Sequence, residues 1–284
     1  MRSHGRDVKR AGQEDGPRLA TPDAASTRAE RPRYPTWIRS SRIALFWLLA
    51  AGTIAVGAAV SFLWLPGLAI ALLALPFLYI AIVITLASYR LGPSGGDLQG
   101  RIHQLLIDET GVGGRLLDVG CGSGQLLIRF AKSRPGEFVG IDYWGDDWEY
   151  SKAQAERNAQ LEGVPGLEFV HGSASRLPFP DGAFTNVVSS MTFHEVRDVV
   201  DKTVSIAEAL RVLEPFGRFA FVDLFDDPGF YPERERVLGA VRDAGGEIES
   251  VRKLTEILDL RFPMNLGKVL KYAVIVTGTK SPEA

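Results

Sequence analysis

Chemistry is concentrated in a few short stretches of the chain. In LLDVGCGSGQLL, Leu116–Leu127, an apolar run ends on Asp118 and is followed by glycines at alternate positions, Gly120, Gly122 and Gly124. Glycine is needed where backbone turns sharply and must approach a ligand with no Cβ in the way. A dinucleotide fingerprint requires G-x-G-x-x-G, but position 125 is Gln, so this spacing argues against a nicotinamide cofactor. Further along, MTFHEV (Met191–Val196) carries His194 just after another apolar run. An imidazole titrates near neutrality, which suits removal of a proton from a nucleophile; a packing role is the alternative. Glu195 and Asp198 read as solvated helix-entry charges.

Other residue types narrow the choice. Cys121 is the only cysteine and sits in the glycine turn, where a small side chain suffices; an internal disulfide framework and a Cys-rich metal site are excluded. His4, His103 and His171 show no metal-ligand spacing. Asp223, Asp226 and Asp227 follow an apolar run and read as solvent-facing, with cation binding as the alternative; no metal site is expected.

The D-x-G-x-G-x-G spacing resembles motif I of class I S-adenosylmethionine-dependent methyltransferases. The resemblance runs from about Leu98 to Lys280 and rests on four ordered motifs. GID, Gly140–Asp142, matches the acidic residue ending the second strand, 24 residues after Asp118, a gap that fits one βαβ unit. HGSASRLPFPDGAF, His171–Phe184, resembles the family's G-D-A-x-x-L-P-F segment, with Ser173 at the acidic adenine-contacting position. EALRVLEPFGRFAFVD, Glu208–Asp223, resembles R-V-L-x-P-G-G, with Phe216 replacing one glycine. The resemblance implies S-adenosylmethionine as cofactor, with Gly120–Gly124 passing under its methionine and ribose and Asp118 positioning the methionine end. Asp142 would accept hydrogen bonds from the ribose hydroxyls. Tyr143 would cover adenine or ribose, and Ser173 would meet the adenine amino group. Cys121, Ala174 and Met191 complete the expected cofactor set. His194 would look toward the transferable methyl, and Phe230 and Tyr231 are candidate substrate walls.

Strand and helix must alternate to hold these residues. Apolar runs at 115–119, 138–141, 167–171, 186–190, 218–223, 247–253 and 272–279 are predicted strands, with helices between them and a leading helix carrying Leu98, Ile102, Leu105 and Leu106 after a possible Asp97 N-cap. This predicts an α/β fold, a Rossmann-like seven-stranded, mostly parallel sheet with helices on both faces.

What precedes that fold is a different physical object. Residues 1–42 hold 10 basic and 5 acidic residues with scattered prolines, which reads as a disordered basic tail. Residues 43–89 contain no charged side chain, whereas 90–284 hold 22 basic and 29 acidic residues. The near-neutral total of -2 therefore averages three unlike segments. The uncharged part divides at Pro66-Gly67 into 43–65 and 68–89, each reaching about 33 Å as a helix against roughly 30 Å of hydrocarbon. A transmembrane hairpin is expected, kinked at Pro76, with Ala51, Ala55 and Ala59 as a small-residue stripe. Arg33, Arg39, Arg42 and Arg90 flank the pair, so tail and catalytic domain are both expected on the cytoplasmic side. Residues 90–97 form a short linker to the domain at 98–284.

An acidic domain without a basic stripe disfavours nucleic acid. The expectation is a membrane-anchored methyltransferase acting on a small lipophilic molecule, with membrane lipid as a further contact. A tethered, non-catalytic cofactor-binding protein and a methyltransferase of membrane proteins are the alternatives; oligomeric state is open.

Overall fold

The computed structural model describes Met1 and residues 30–63, 67–145, 148–267 and 269–282. Arg31–Ala284 is one compact unit. The expected tail lies largely outside the described residues.

Three helical segments come first: α1 (Ser40–Leu63), α2 (Gly67–Leu72) and α3 (Leu75–Leu91). Pro76 occupies the first turn of α3, where a missing N–H costs nothing, and the chain breaks at Leu73–Ala74 rather than running as one kinked helix. Ser40–Phe62 and Ala69–Leu91 are nonetheless each long and apolar enough to cross a membrane. Their large apolar side chains point mostly outward, Phe62 being 96% exposed. The pair is joined by Trp47 Nε1 donating to Thr85 Oγ1 (3.1 Å) and by Gly57, where a Cβ would stand 2.6 Å from the Ala71 nitrogen. The Ala51, Ala55 and Ala59 stripe is exposed, so the contact uses the other face of α1.

The hairpin base is built into the domain that follows. Ala87 and Leu91 of α3 belong to the same buried cluster as Leu98, Ile102 and Leu106 of α4 (Leu98–Glu109). Asp97 does not cap α4; its side chain pairs with Arg129 at 2.9 Å. Residues 31–39, expected to be part of a disordered tail, instead pack on the domain. Asn158 both accepts from the Arg33 N–H (2.9 Å) and donates to the Arg33 carbonyl (2.8 Å), while Tyr34, Trp37 and Ile38 lie against the core. A side-chain amide can pair with a peptide group in both directions, which is how a segment without hydrophobic period is held.

Alternating elements then follow: β1 (Arg115–Val119), α5 (Gln125–Ser133), β2 (Glu137–Asp142), α6 (Lys152–Leu161), β3 (Glu168–His171), β4 (Phe184–Ser190), α7 (Thr203–Arg211), β5 (Leu213–Asp223), α8 (Arg234–Asp243), β6 (Gly246–Lys253), the short α9 (Leu254–Ile257) and β7 (Val274–Lys280). They form one seven-stranded sheet in the order β3-β2-β1-β4-β5-β7-β6. Strands β1 to β5 are mutually parallel and β7 runs antiparallel between β5 and β6. Two buried clusters flank the sheet: Leu127 and Phe130 of α5 lie in one, Ile206 and Leu210 of α7 in the other. The order reverses between β1 and β4, which opens a crevice at the carboxyl ends of those strands. Phe216, standing where the resembling motif has glycine, holds φ +62° at the bend inside β5.

Candidate active site

The glycine turn leaves β1 at its carboxyl end and feeds α5. Gly120 adopts φ +81°, and a Cβ there would lie 2.0 Å from Thr192 Oγ1 on the neighbouring turn after β4. Alanine in that conformation costs about 1–2 kcal/mol, and the overlap adds about 1–3 kcal/mol. Gly120→Ala is therefore expected to lose a few kcal/mol of stability, read as a lower denaturation midpoint; an unchanged midpoint would refute the steric argument.

Asp142 ends β2 beside this turn. One carboxylate oxygen accepts from the Gly122 N–H (2.9 Å) and the other from the Trp144 N–H (2.8 Å). Each oxygen keeps lone-pair capacity for a ligand hydroxyl. Trp144 adds its indole N–H to the Gly122 carbonyl at 2.8 Å, so the insert after β2 clamps the turn from both sides. Burial holds the Asp142 carboxyl above its usual value, against the lowering effect of these N–H groups. Asp118 is fully buried, and one of its oxygens has no partner. Burial, and then the charge of Asp142, push its pKa up to about 8. A buried, unpaired carboxyl facing a cavity is suited to a cationic group.

Asp118, Gly120, Cys121, Gly122, Asp142, Tyr143, Ser173, Ala174, Met191 and His194 all line one cavity of about 680 Å³. Gly124 does not reach that wall: it begins α5 at φ +78°, and its missing side chain leaves room for Phe169 and Ala155. The Ser173 hydroxyl is engaged with Ser175, which also hydrogen-bonds Asp198 at 2.5 Å. Asp198, expected as a plain solvated charge, thus brings a carboxylate next to the serine that stands at the acidic position. Met191 holds φ +56° at the end of β4, a strained geometry of the kind that clusters at functional sites.

His194 is held by a carboxylate from the end of β5. Its Nδ1 lies 2.5 Å from Asp223 Oδ1, its backbone N–H donates to the other oxygen, and its ring packs 4.9 Å from Phe230. Burial works to lower the His194 pKa, but the Asp223 charge and hydrogen bond outweigh it and the net shift is upward. Asp223 is 0% exposed and Asp227 nearly as buried, while Asp226 pairs with Arg234. The solvent-facing reading of these three carboxylates is therefore wrong, because β5 ends beneath the turn that follows β4. Tyr231, a candidate substrate wall, instead packs in the core with Phe225.

The same cavity is also lined by parts of the chain that the motifs do not include: Pro35, Trp37, Ile38, Ile84 and Leu91, with Gln99 and His103 of α4. Trp148 and Tyr150, stacked at 5.5 Å, line it as well. Glu149 between them accepts from the Ser40 and Ser41 N–H groups at the start of α1. Burial opposes its ionisation, but the Ser40 hydroxyl, at 2.7 Å, and these N–H groups bring its pKa down to about 2.

Residues 117–221 match the family model described as a methyltransferase domain. Over 140 residues the chain is 32% identical to a demethylmenaquinone methyltransferase of Thermus thermophilus, covering 49% of this chain and 60% of that protein. Over 128 residues it is 34% identical to a fatty-acid O-methyltransferase of Mycolicibacterium smegmatis, covering 44% and 42%. The chain thus spans about half the length of these curated relatives. A geranyl diphosphate C-methyltransferase from Streptomyces coelicolor shares the fold, with TM-score 0.52 at 17% identity over 66% of this chain and 81% of that one. The glycine turn, the Asp142 carboxylate and the order of the sheet agree with these matches, so residues 117–221 are similar to a methyltransferase domain in both sequence and fold.

Proposed function

We propose that this protein moves the methyl group of S-adenosylmethionine to a small lipophilic acceptor that reaches the site from a membrane. One observation carries the reading: a single cavity joins Asp118 and Asp142 to apolar residues at the base of the two long apolar helices, among them Ile38, Ile84 and Leu91. Those helices expose most of their apolar surface, which water does not favour and lipid does. The relatives named for demethylmenaquinone and fatty-acid methylation support an acceptor with an apolar body. With Arg33, Arg39, Arg42 and Arg90 around the helix ends, the reading places tail and domain on the cytoplasmic side.

The residues fit the cofactor. The glycine turn leaves room for it, the unpaired Asp118 oxygen suits its ammonium group, and the spare lone pairs of Asp142 suit its ribose hydroxyls. Cys121, Tyr143, Ser173, Ala174 and Met191 wall the same space. S-adenosylmethionine supplies an electrophilic methyl on sulfur. His194, with Nδ1 held by Asp223, removes the acceptor's proton through its other ring nitrogen. Trp148 and Tyr150 cover the cavity and limit water.

Native membranes supplied with methyl-labelled cofactor test the reading. Label is expected in the organic extract, dependent on this protein. Label in polypeptide would favour a protein acceptor, and no transfer at all would refute the activity.

A further inference from the structure

The edge of the sheet that carries the cavity also carries the connection between β6 and β7. Asp223 at the end of β5 stands opposite Val274, and Val274 stands opposite Lys253. Residues 254–273 therefore leave and re-enter the sheet at the edge where the turns after β1, β2 and β4 lie. Val269 and Leu270 of this connection line the cavity together with Ile38 and Ile84. Leu270 also belongs to the same buried cluster as Ala87 and Leu91 of α3, so the connection shares a core with the hairpin base. Its composition is unlike that of the domain around it. From Leu260 to Ala273 there are three basic residues, Arg261, Lys268 and Lys271, and no acidic one, whereas 90–284 as a whole is acidic. Phe262 is 47% exposed, and Arg261, Asn265 and Lys271 are exposed with it. Arg261 pairs at the surface with Asp259 at 2.7 Å, and the Lys271 ammonium lies 5.3 Å from the Tyr272 ring. An exposed aromatic among cations is the composition of a segment that lies in a lipid headgroup layer.

We propose that the β6–β7 connection is a second membrane contact, in which Phe262 enters the lipid and Arg261 and Lys271 meet anionic headgroups. The inference rests on the membrane reading of the two helices and extends it to a surface of the domain itself. Depth along α3 supports it. Arg90 marks the headgroup level at the end of that helix. Ile84 lies six residues earlier, about 9 Å along the axis, and still lines the cavity. The cavity wall thus passes the headgroup level, and the chain that shares this wall, Val269 and Leu270, is brought to the lipid with it. A lipophilic acceptor then passes from bilayer to cavity without crossing water. Val112 and Phe216 are also exposed, but they lie before β1 and at the bend near the start of β5, at the opposite edge of the sheet.

Site-directed fluorescence quenching tests it on the full chain. The sole native thiol, Cys121, is buried, and burial pushes its pKa well up, so a thiol-reactive fluorophore goes to an introduced cysteine, with labelled wild type as background. The protein is reconstituted in vesicles of phosphatidylcholine and phosphatidylglycerol in equal parts, with nitroxide-labelled acyl chains as quencher. Val56→Cys, exposed within α1, reports the spanning helix; Val112→Cys reports the opposite edge; Phe262→Cys reports the proposed contact. Quenching at Phe262→Cys is expected to reach at least half that at Val56→Cys, with Val112→Cys unquenched. In phosphatidylcholine alone, or with Arg261→Glu and Lys271→Glu added, quenching at Phe262→Cys is expected to fall severalfold. If Phe262→Cys does not fold, Asn265→Cys, exposed on the same segment, carries the label. A quenched Val56→Cys with Phe262→Cys no more quenched than Val112→Cys overturns the proposal. Quenching indifferent both to phosphatidylglycerol and to the charge reversal overturns it too. An unquenched Val56→Cys would instead refute the spanning reading, and this inference with it.

Discussion

Asp142→Ala is expected to weaken S-adenosylhomocysteine binding by at least about a hundredfold, measured by calorimetry on the full chain. Two losses combine. The ligand loses hydrogen bonds to a charged group, each worth about 1.5–3 kcal/mol. The glycine turn also loses its tie, since one carboxylate oxygen holds the Gly122 N–H at 2.9 Å and the other the Trp144 N–H at 2.8 Å. Asp142→Asn is expected to be nearly as harmful, because its NH2 group must then face one of those N–H donors. Binding by Asp142→Asn within threefold of wild type would show that the carboxylate does not hold the ligand. The pH dependence has a definite sign. Asp118 sits at about pKa 8 through burial and the Asp142 charge, and its ionised form favours a cationic ligand group. Affinity is therefore expected to rise as pH increases toward 8, and Asp118→Asn to flatten that rise.

The glycine turn and its carboxylate partner were legible because their information is local. Asp118, Gly120 and Gly122 lie within five residues, and Asp142 follows at one βαβ spacing, so residue types and intervals specify both turn and partner. Strand count and sheet class were legible for the same reason, each apolar run being bounded by turn residues. The rest of the cavity was not. His194 and Asp223 are 29 residues apart and meet only because β4 and β5 are neighbours in register, with Ser190 opposite Val222. Nothing in the run Asp223, Asp226, Asp227 distinguishes the buried partner of His194 from the one bound to Arg234. Residues 31–39 carry no period at all, and their place is set by side chains far along the chain, the Asn158 and Gln154 amides on Arg33 and the Glu162 carboxylate on Tyr34, together with the packing of Trp37 and Ile38. Gln99 and His103 lie on the buried side of α4, and no sequence signal marks the unpartnered polar atoms they carry.

Asp223→Asn is expected to lower turnover by about 10²–10⁴-fold, the usual worth of a positioned general base, and to move the pH profile. A base acts in its neutral form, so the rate should rise with pH through the His194 pKa. Burial pulls that pKa down, while Asp223 and, more weakly, Glu195 and Asp227 pull it up, with a net upward result. The wild-type limb therefore lies above the ordinary histidine value of about 6.5. With Asn at 223 the main opposing charge is gone, burial prevails, and the limb shifts to lower pH even as the plateau falls. The fall has a separate cause: the carboxylate fixes the Nδ1–H tautomer, and an amide that turns its NH2 toward Nδ1 leaves the proton on the wrong nitrogen. His194→Gln should lose the limb entirely while binding S-adenosylhomocysteine normally. The pair is refuted as the base if the Asp223→Asn profile keeps its midpoint, or if His194→Gln retains a third or more of wild-type turnover. Either result would leave His194 as a packing residue beneath Phe230.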